Sequence, residues 1–231
     1  MTPSKLSLLI RQLRPTILEN LTPSETNYVL AAAQQRRFLA NSLITNQGQP
    51  ASHFYLVISG GARSFFLTQA GQKLNLHWYP PGDVFGGMAL VKRSSVYIAS
   101  TEAIADSRIL VWDRKTIRDI AAQHTKLLDN ALLIASDYMN LAIATQVSLT
   151  SHTARQRLAS VLLNLASGIG HEVSGGIELK VRNEELASTA NITTFTASRI
   201  MSEWERTRMV RKSRGKVLIP SPERLLLEDV G

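Results

Sequence analysis

Residues 183–199 read Asn183-Glu184-Glu185-Leu186-Ala187-Ser188-Thr189-Ala190-Asn191-Ile192-Thr193-Thr194-Phe195-Thr196-Ala197-Ser198-Arg199. Asn183 has the chemistry of an N-cap, and Glu184 and Glu185 fall in the first turn, where the helix dipole favours negative charge. Leu186, Ala187 and Ala190 recur at helical spacing, and Ala187 is small, as a close helix crossing requires. Asn191 stands where a tight turn asks for positive φ. Ile192 plugs the junction, and Thr193 or Thr194 caps a second helix. Phe195, Ala197, Ile200, Met201 and Trp204 give that helix an apolar stripe, with Thr194, Thr196, Ser198, Arg199 and Glu203 around it. Two helices joined this way, the second suited to a DNA groove, form the helix-turn-helix pattern.

Other helical hairpins share that pattern, and the residues downstream narrow it. Met209-Val210-Arg211-Lys212-Ser213-Arg214-Gly215-Lys216-Val217-Leu218-Ile219-Pro220 reads as a short strand, a basic turn with glycine and a second strand, which is a β-wing. Arg199, Arg206, Arg208, Arg211, Lys212, Arg214 and Lys216 lie within eighteen residues, opposed only by Glu203 and Glu205. Such a run beside a reading helix suits phosphate neutralisation.

The composition is that of an ordinary globular chain, 44% hydrophobic and 19% charged over 231 residues, enough for one large or two small domains. A formal net charge of +8 fits a polyanionic partner. The absence of cysteine excludes disulfides, thiolate zinc sites and cysteine-ligated iron–sulfur clusters. The apolar run near Leu6–Ile10 is short for a signal peptide, and no run of about 18 apolar residues suggests a membrane span. A cytoplasmic location is therefore expected.

Upstream, the chain divides by its hydrophobic period. Leu6, Leu8, Leu9, Leu13 and Ile17 recur at helical intervals, and Thr22-Pro23-Ser24-Glu25 starts a second helix; the helical and then polar stretch reaches about residue 37. From Arg37 to Trp112 the period becomes two. Phe54–Gly61, Ala62–Thr68, Lys73–Trp78, Val96–Thr101 and Ser107–Trp112 read as strands, with turns at Gln69–Gln72 and Pro80–Asp83. Many short strands indicate a β-sandwich or roll. From Thr116 to about Ser148 the pattern is helical. Leu128, Leu132, Ala135, Met139, Ala142 and Leu149 keep spacings of three and four, broken only at Gln146. A core helix packed on the roll would fit this pattern. The narrow seam of a long helix favours one shared between two subunits. Thr150–Thr153 reads as a hinge with a new N-cap, Ala154–Ala166 as a helix, 167–176 as a glycine-containing loop and Ile177–Val181 as a strand.

In this order the parts resemble the Crp/Fnr superfamily of bacterial transcription regulators. The marks are Phe54-Tyr55-Leu56-Val57-Ile58-Ser59-Gly60, Pro81-Gly82-Asp83-Val84-Phe85-Gly86, Leu162-Leu163-Asn164-Leu165-Ala166, and Glu185-Leu186-Ala187 followed by Ser198-Arg199-Ile200. The resemblance implies an α+β fold in three parts. Residues 1–125 would hold N-terminal helices and a β-roll (jelly roll) like a cyclic-nucleotide-binding domain. Residues 126–150 would form a dimerisation helix, and 151–231 a winged helix-turn-helix.

The departures from that family bear on the effector. Members that bind cyclic AMP carry a Gly-Glu-x-Ala-Leu turn and an Arg-Ser pair on the next strand. Here the turn is Gly86-Gly87-Met88-Ala89-Leu90, and the Arg-Ser positions fall on Tyr97 and Ile98; Arg93-Ser94 could substitute only by a four-residue slip and a bulge. Losing the buried cation that balances the phosphate would cost several kcal/mol, by analogy with a broken buried charge pair. Cyclic AMP is therefore disfavoured, and the Fnr-type iron–sulfur sensor is excluded with the cysteines. The pocket this family uses would be lined here by Gly86, Gly87, Met88, Tyr97, Tyr138 and Ala142. His53 and His77 invite haem, although a single strand histidine is more often structural. An apolar small ligand, or none, is the other reading.

By the same resemblance, an arginine, a glutamate and a second arginine read base edges at positions that are Thr194, Phe195 and Arg199 here. Arg199 is retained, for bidentate contact to guanine O6 and N7. Phe195 either packs on a thymine methyl or is buried, leaving Thr196 or Ser198 to reach the groove. Thr193, Arg211, Lys212 and Arg214 are backbone contacts. The expected partners are double-stranded DNA with a near-palindromic target, a second copy of the chain and, for an activator, RNA polymerase. An enzyme of the cupin type would need clustered metal-ligating histidines, whereas these are scattered. A module regulating another protein would have no use for the wing.

Overall fold

The computed structural model describes residues 3–93 and 95–229. Helix α1 (Pro3–Leu13) precedes α2 (Pro23–Ala31). Helix α2 starts as its sequence dictates: Thr22 Oγ1 accepts from the Glu25 N–H at 3.2 Å, and Glu25 Oε2 accepts from the Thr22 N–H at 2.7 Å. Pro23 occupies the first turn, where a missing N–H costs nothing.

Eight strands follow: β1 (Gln34–Phe38), β2 (Leu43–Thr45), β3 (His53–Ser59), β4 (Ala62–Leu67), β5 (Lys73–Tyr79), β6 (Val84–Phe85), β7 (Ser100–Ala103) and β8 (Ser107–Asp113). They make two four-stranded sheets, ordered β1-β8-β3-β6 and β2-β7-β4-β5. The first strand thus begins at Gln34, within the polar stretch and three residues before Arg37, the expected start of the period of two. The strand expected at Val96–Thr101 lies instead at Ser100–Ala103, with Val96 making only an isolated bridge to Pro50.

Strand β3 is buried on both faces, which is why it reads as a continuous apolar run. Phe54, Leu56 and Ile58 join Leu110 and Trp112 of β8 in a core with Ile10, Ile17, Val29 and Leu30. The Trp112 Nε1–H donates to Val29 O at 2.8 Å, so the largest side chain of this core has its polar atom satisfied. Tyr55 and Val57 point the other way, into a second core with Ala62, Tyr79, Phe85, Tyr97, Ile109 and Val111. Gly60, at φ +82, turns β3 into β4; a Cβ there would stand 2.7 Å from Asp106 O. Arg63 and Glu102, register partners on β4 and β7, form a buried ion pair with Nε 2.6 Å from Oε1.

After the strands come α3 (Arg114–Gln123) and α4 (Thr125–Ser151). Asp113 caps α3 by accepting from the Thr116 N–H at 2.9 Å. The contacts divide the chain into one unit of residues 1–70 and 79–141 and a second of residues 71–78 and 142–231. The division therefore falls inside α4, between Leu141 and Ala142. By length and composition alone α4 is long and apolar enough to cross a membrane, although it holds no uninterrupted run of about 18 apolar residues. An 18-residue window within it reaches a mean hydropathy of 1.2 although Asp137, Asn140 and Gln146 interrupt the apolar run.

In the second unit α5 (Ala154–Ile169) starts at a capping box, Thr153 with Gln156. It buries Leu158, Leu162 and Leu165 and packs on β10 (Gly176–Leu179), α6 (Asn183–Thr189), α7 (Thr194–Arg206) and α8 (Pro222–Asp229). A third sheet, ordered β11-β12-β10-β9, combines β9 (His171–Val173) and β10 with β11 (Arg211–Ser213) and β12 (Lys216–Ile219). The loop expected over residues 167–176 holds instead the end of α5 and β9, with a turn at residues 174–175 leading into β10 at Gly176.

Candidate nucleic-acid interface

Helix α6 begins one residue earlier in its cap than the sequence suggests. Arg182 is the N-cap, its N–H donating to Glu185 Oε2 at 2.7 Å, and Asn183 is the first helical residue. The Asn183 side chain has another task, since Nδ2 donates to Thr194 O at 3.1 Å and to Ser198 Oγ at 3.0 Å. Leu186, Ala187 and Ala190 are buried, and Asn191 takes φ +50, the left-handed turn its identity anticipates. Thr193, of the two alternatives, caps α7 by accepting from the Thr196 N–H at 3.1 Å.

On α7 the buried face is Ala197, Ile200, Met201 and Trp204, a spacing of three, four and seven from the first. Phe195 does not belong to it: at 77% exposure its ring points to solvent. The expectation that it extends the apolar stripe is corrected, because position 195 lies two residues before Ala197, off the helical face. Thr194, Ser198 and Arg199 share the exposed side, and Thr196 is half-buried beside Thr193. Ser198 Oγ is taken up by Asn183. The Arg199 Nη1–H donates to Glu203 Oε1 at 3.2 Å, and Glu203 Oε2 accepts from Arg155 Nη1 of α5 at 2.6 Å. The i,i+4 pair Arg199/Glu203 is legible in the sequence; Arg155, 48 residues away, is not.

The wing forms as expected, with Gly215 at φ +71 in its turn. Arg211 and Arg214 are exposed, as are Arg206 and Arg208 at the end of α7. Lys212 is held by Glu205: its N–H donates to Oε1 and its Nζ pairs with Oε2, both at 3.0 Å. That Lys212 side chain, with the Lys212 N–H, keeps the Glu205 carboxyl below the usual range. Arg206, Arg208, Arg211 and Arg214 thus share an exposed surface, with Lys212 fastening the wing to the helix.

Along α4, Leu128, Leu132, Ala135, Met139, Ala142 and Leu149 are all exposed, joined by Leu133, Ile143 and Val147.

In the roll, Tyr55 and Phe85 stack at 4.5 Å, and Tyr79 packs on both Phe85 and Tyr138. The Tyr138 hydroxyl donates to Val84 O at 2.9 Å. Burial holds the Tyr55 and Tyr138 phenols well above the ordinary tyrosine range. Tyr97 accepts from the His53 N–H at 2.9 Å and donates to His53 O at 3.1 Å. Met88 packs against this cluster, and Gly86, at φ +78, stands before the short turn Gly87–Ala89. Ala142 is exposed and falls in the other unit. The Arg114 guanidinium donates to the carbonyls of Val91, Arg93 and Met88 at 2.6, 2.8 and 3.1 Å. Arg93 is thereby tied through its backbone, while Ser94 lies outside the described residues. His53 Nδ1 is 2.8 Å from Ser52 Oγ. Among the described residues no three His, Asp or Glu side chains gather as a metal-binding group.

The family model of the cyclic nucleotide-binding domain matches residues 35–124, and that of the Crp-like helix-turn-helix domain matches residues 156–227. The cyclic AMP receptor protein of Thermus thermophilus is 27% identical over 215 residues, 93% of this chain and 95% of that protein. The nitrogen fixation regulation protein FixK of Azorhizobium caulinodans is 26% identical over 214 residues, 91% of this chain and 81% of that protein. Among solved structures, FixK2 from Bradyrhizobium japonicum shares the fold at a TM-score of 0.74 and 21% identity, over 85% of this chain and 97% of that one. With both family models in the order the fold requires, the chain belongs to the Crp/Fnr superfamily, as a transcription regulator with a helix-turn-helix DNA-binding domain.

Proposed function

We propose that this regulator binds a near-palindromic operator as a cytoplasmic homodimer and that its DNA binding requires neither cyclic AMP nor another cofactor. The observation that carries the reading is the division of α7: Ala197, Ile200, Met201 and Trp204 are buried while Thr194, Phe195 and Arg199 face outward. Arg199 supplies a guanine contact, Phe195 a surface for a thymine methyl and Thr194 a hydroxyl. Arg206, Arg208, Arg211 and Arg214 supply phosphate contacts. The exposed α4 seam supports pairing with a second copy, since burying each large apolar side chain contributes about 1.5–3 kcal/mol.

Independence from cyclic AMP, which the name of the Thermus relative assigns to that protein, is supported by what fills the roll. Tyr55, Tyr79, Phe85 and Tyr138 pack together there, Gly87 offers no carboxylate, and the Tyr97 hydroxyl is engaged with the His53 backbone. Binding of full-length protein to a selected duplex, with and without millimolar cyclic AMP, tests this reading. The affinity is expected to stay within about twofold, and tenfold tightening by the nucleotide would overturn it.

A further inference from the structure

Glu203 sits one helical turn below Arg199, and its two oxygens serve two guanidiniums. Oε1 accepts from Arg199 Nη1 at 3.2 Å and Oε2 accepts from Arg155 Nη1 at 2.6 Å. Arg155 is in the first turn of α5, and its guanidinium carbon lies 5.4 Å from the centroid of the buried Trp204 ring, in cation–π geometry. The Glu203 and Arg155 side chains are each about two-thirds covered, whereas Arg199 is 60% exposed. The chain of contacts therefore runs from a fixed core residue, through a half-buried cation and a carboxylate, to the arginine on the reading face.

We infer that Glu203 is a positioning residue for base readout, held by Arg155 and setting the direction in which Arg199 presents its fork. The inference rests on the reading that Arg199 contacts a base. An arginine on a helix surface samples many rotamers, and ordering it on binding opposes affinity. A guanidinium carries five donors, so the bond to Glu203 leaves donors for guanine O6 and N7. The Glu203 charge acts in a second way. Beside a polyanion it opposes arrangements in which Arg199 merely neutralises phosphate, so it weakens nonspecific binding relative to guanine contact. Both effects raise discrimination at one base pair and leave the others alone.

The test uses full-length protein and a duplex carrying the consensus selected from a random pool. Dissociation constants are measured for that duplex, for single base-pair changes across the half-site and for an unrelated duplex, at one salt concentration. In Glu203→Ala, discrimination at the base pair that Arg199 reads is expected to fall roughly tenfold, with other positions unchanged and the unrelated duplex bound more tightly. Glu203→Gln, which keeps an acceptor without the charge, is expected to fall between this variant and the parent. Arg155→Met, which keeps apolar cover over Trp204, is expected to lower discrimination at the same position. Thermal melting of each variant establishes that the domain is folded.

Arg199→Ala separates the two levels. If Arg199→Ala abolishes discrimination at that pair while Glu203→Ala and Glu203→Gln retain it, the positioning role is overturned and the reading of Arg199 stands. A uniform loss at all positions in the Glu203 variants also overturns it, because a merely structural role behaves that way. If Arg199→Ala changes no position, the reading itself falls.

Discussion

Asn183 Nδ2 donates to the carbonyl of Thr194 at 3.1 Å, joining the first residue of α6 to the first residue of α7. The same amide reaches Ser198 Oγ at 3.0 Å, so one side chain fixes the crossing of the two helices just behind the exposed reading face. Asn183→Ala removes both bonds from a half-exposed site. The expected cost is about 1 kcal/mol of stability, with a loss of specific DNA affinity larger than that destabilisation alone produces. Denaturant melts paired with duplex titrations check this, and unchanged DNA affinity would show the crossing to be set by packing alone.

Leu132 and Met139 lie on the exposed face of α4, at 69% and 66% exposure. Leu132→Asp or Met139→Asp is expected to yield a folded monomer that has lost specific DNA binding, because two recognition helices must be held about one helical turn of DNA apart. Sedimentation velocity reads the first outcome and duplex titration the second. Tight specific binding by a monomeric variant would separate dimerisation from reading.

The buried pair Arg63–Glu102 gives an asymmetric prediction. Glu102→Ala leaves a buried guanidinium without its carboxylate and is expected to cost about 3–5 kcal/mol. Replacing both residues together with apolar side chains of similar volume is expected to restore most of that loss. Chemical denaturation of the single and double variants decides, and equal losses in both would mean the pair itself contributes net stability.

Much of this arrangement was legible in the sequence where one local rule acts. Thr22-Pro23-Ser24-Glu25 forms its capping box, Asn191 its left-handed turn and Gly215 the tip of its wing. The rule failed where a distant partner decides. Asn183 has the chemistry of a cap, but the following turn lets Arg182 cap and turns Asn183 toward α7. Val96 looks like a strand residue, yet the chain before Ser100 is tied to Gln49 and Ser95 to Ala51 rather than to a ladder. The link from Arg155 to Glu203 joins residues whose proximity only the packing of α5 on α7 creates. Arg114 was likewise silent in the sequence, since its acceptors are backbone carbonyls of residues 88, 91 and 93, which carry no side-chain signature.

Asp113 caps α3 through the Thr116 hydroxyl, at 2.6 Å, and the Thr116 N–H, and these bonds hold its carboxyl below the usual range. A depressed folded value means that the contribution is present above the unfolded value and lost as pH falls through the folded one. Asp113→Ala is therefore expected to cost about 1 kcal/mol at neutral pH, with the gap from the parent narrowing below about pH 4. Thermal melts of both proteins between neutral and acidic pH check this, and a gap independent of pH would assign the effect to something other than the ionised cap.

Arg199, on a helix that the proposed dimer pairs with its copy, is proposed to read sequence without an effector. Selection of bound duplexes from a random pool, with purified ligand-free protein at near-physiological salt, tests it most directly. A near-palindromic consensus whose half-sites lie about one helical turn apart, abolished by Arg199→Ala, is the expected result. Recovery of duplexes with no common sequence, or of the same consensus by the Arg199→Ala protein, would contradict it.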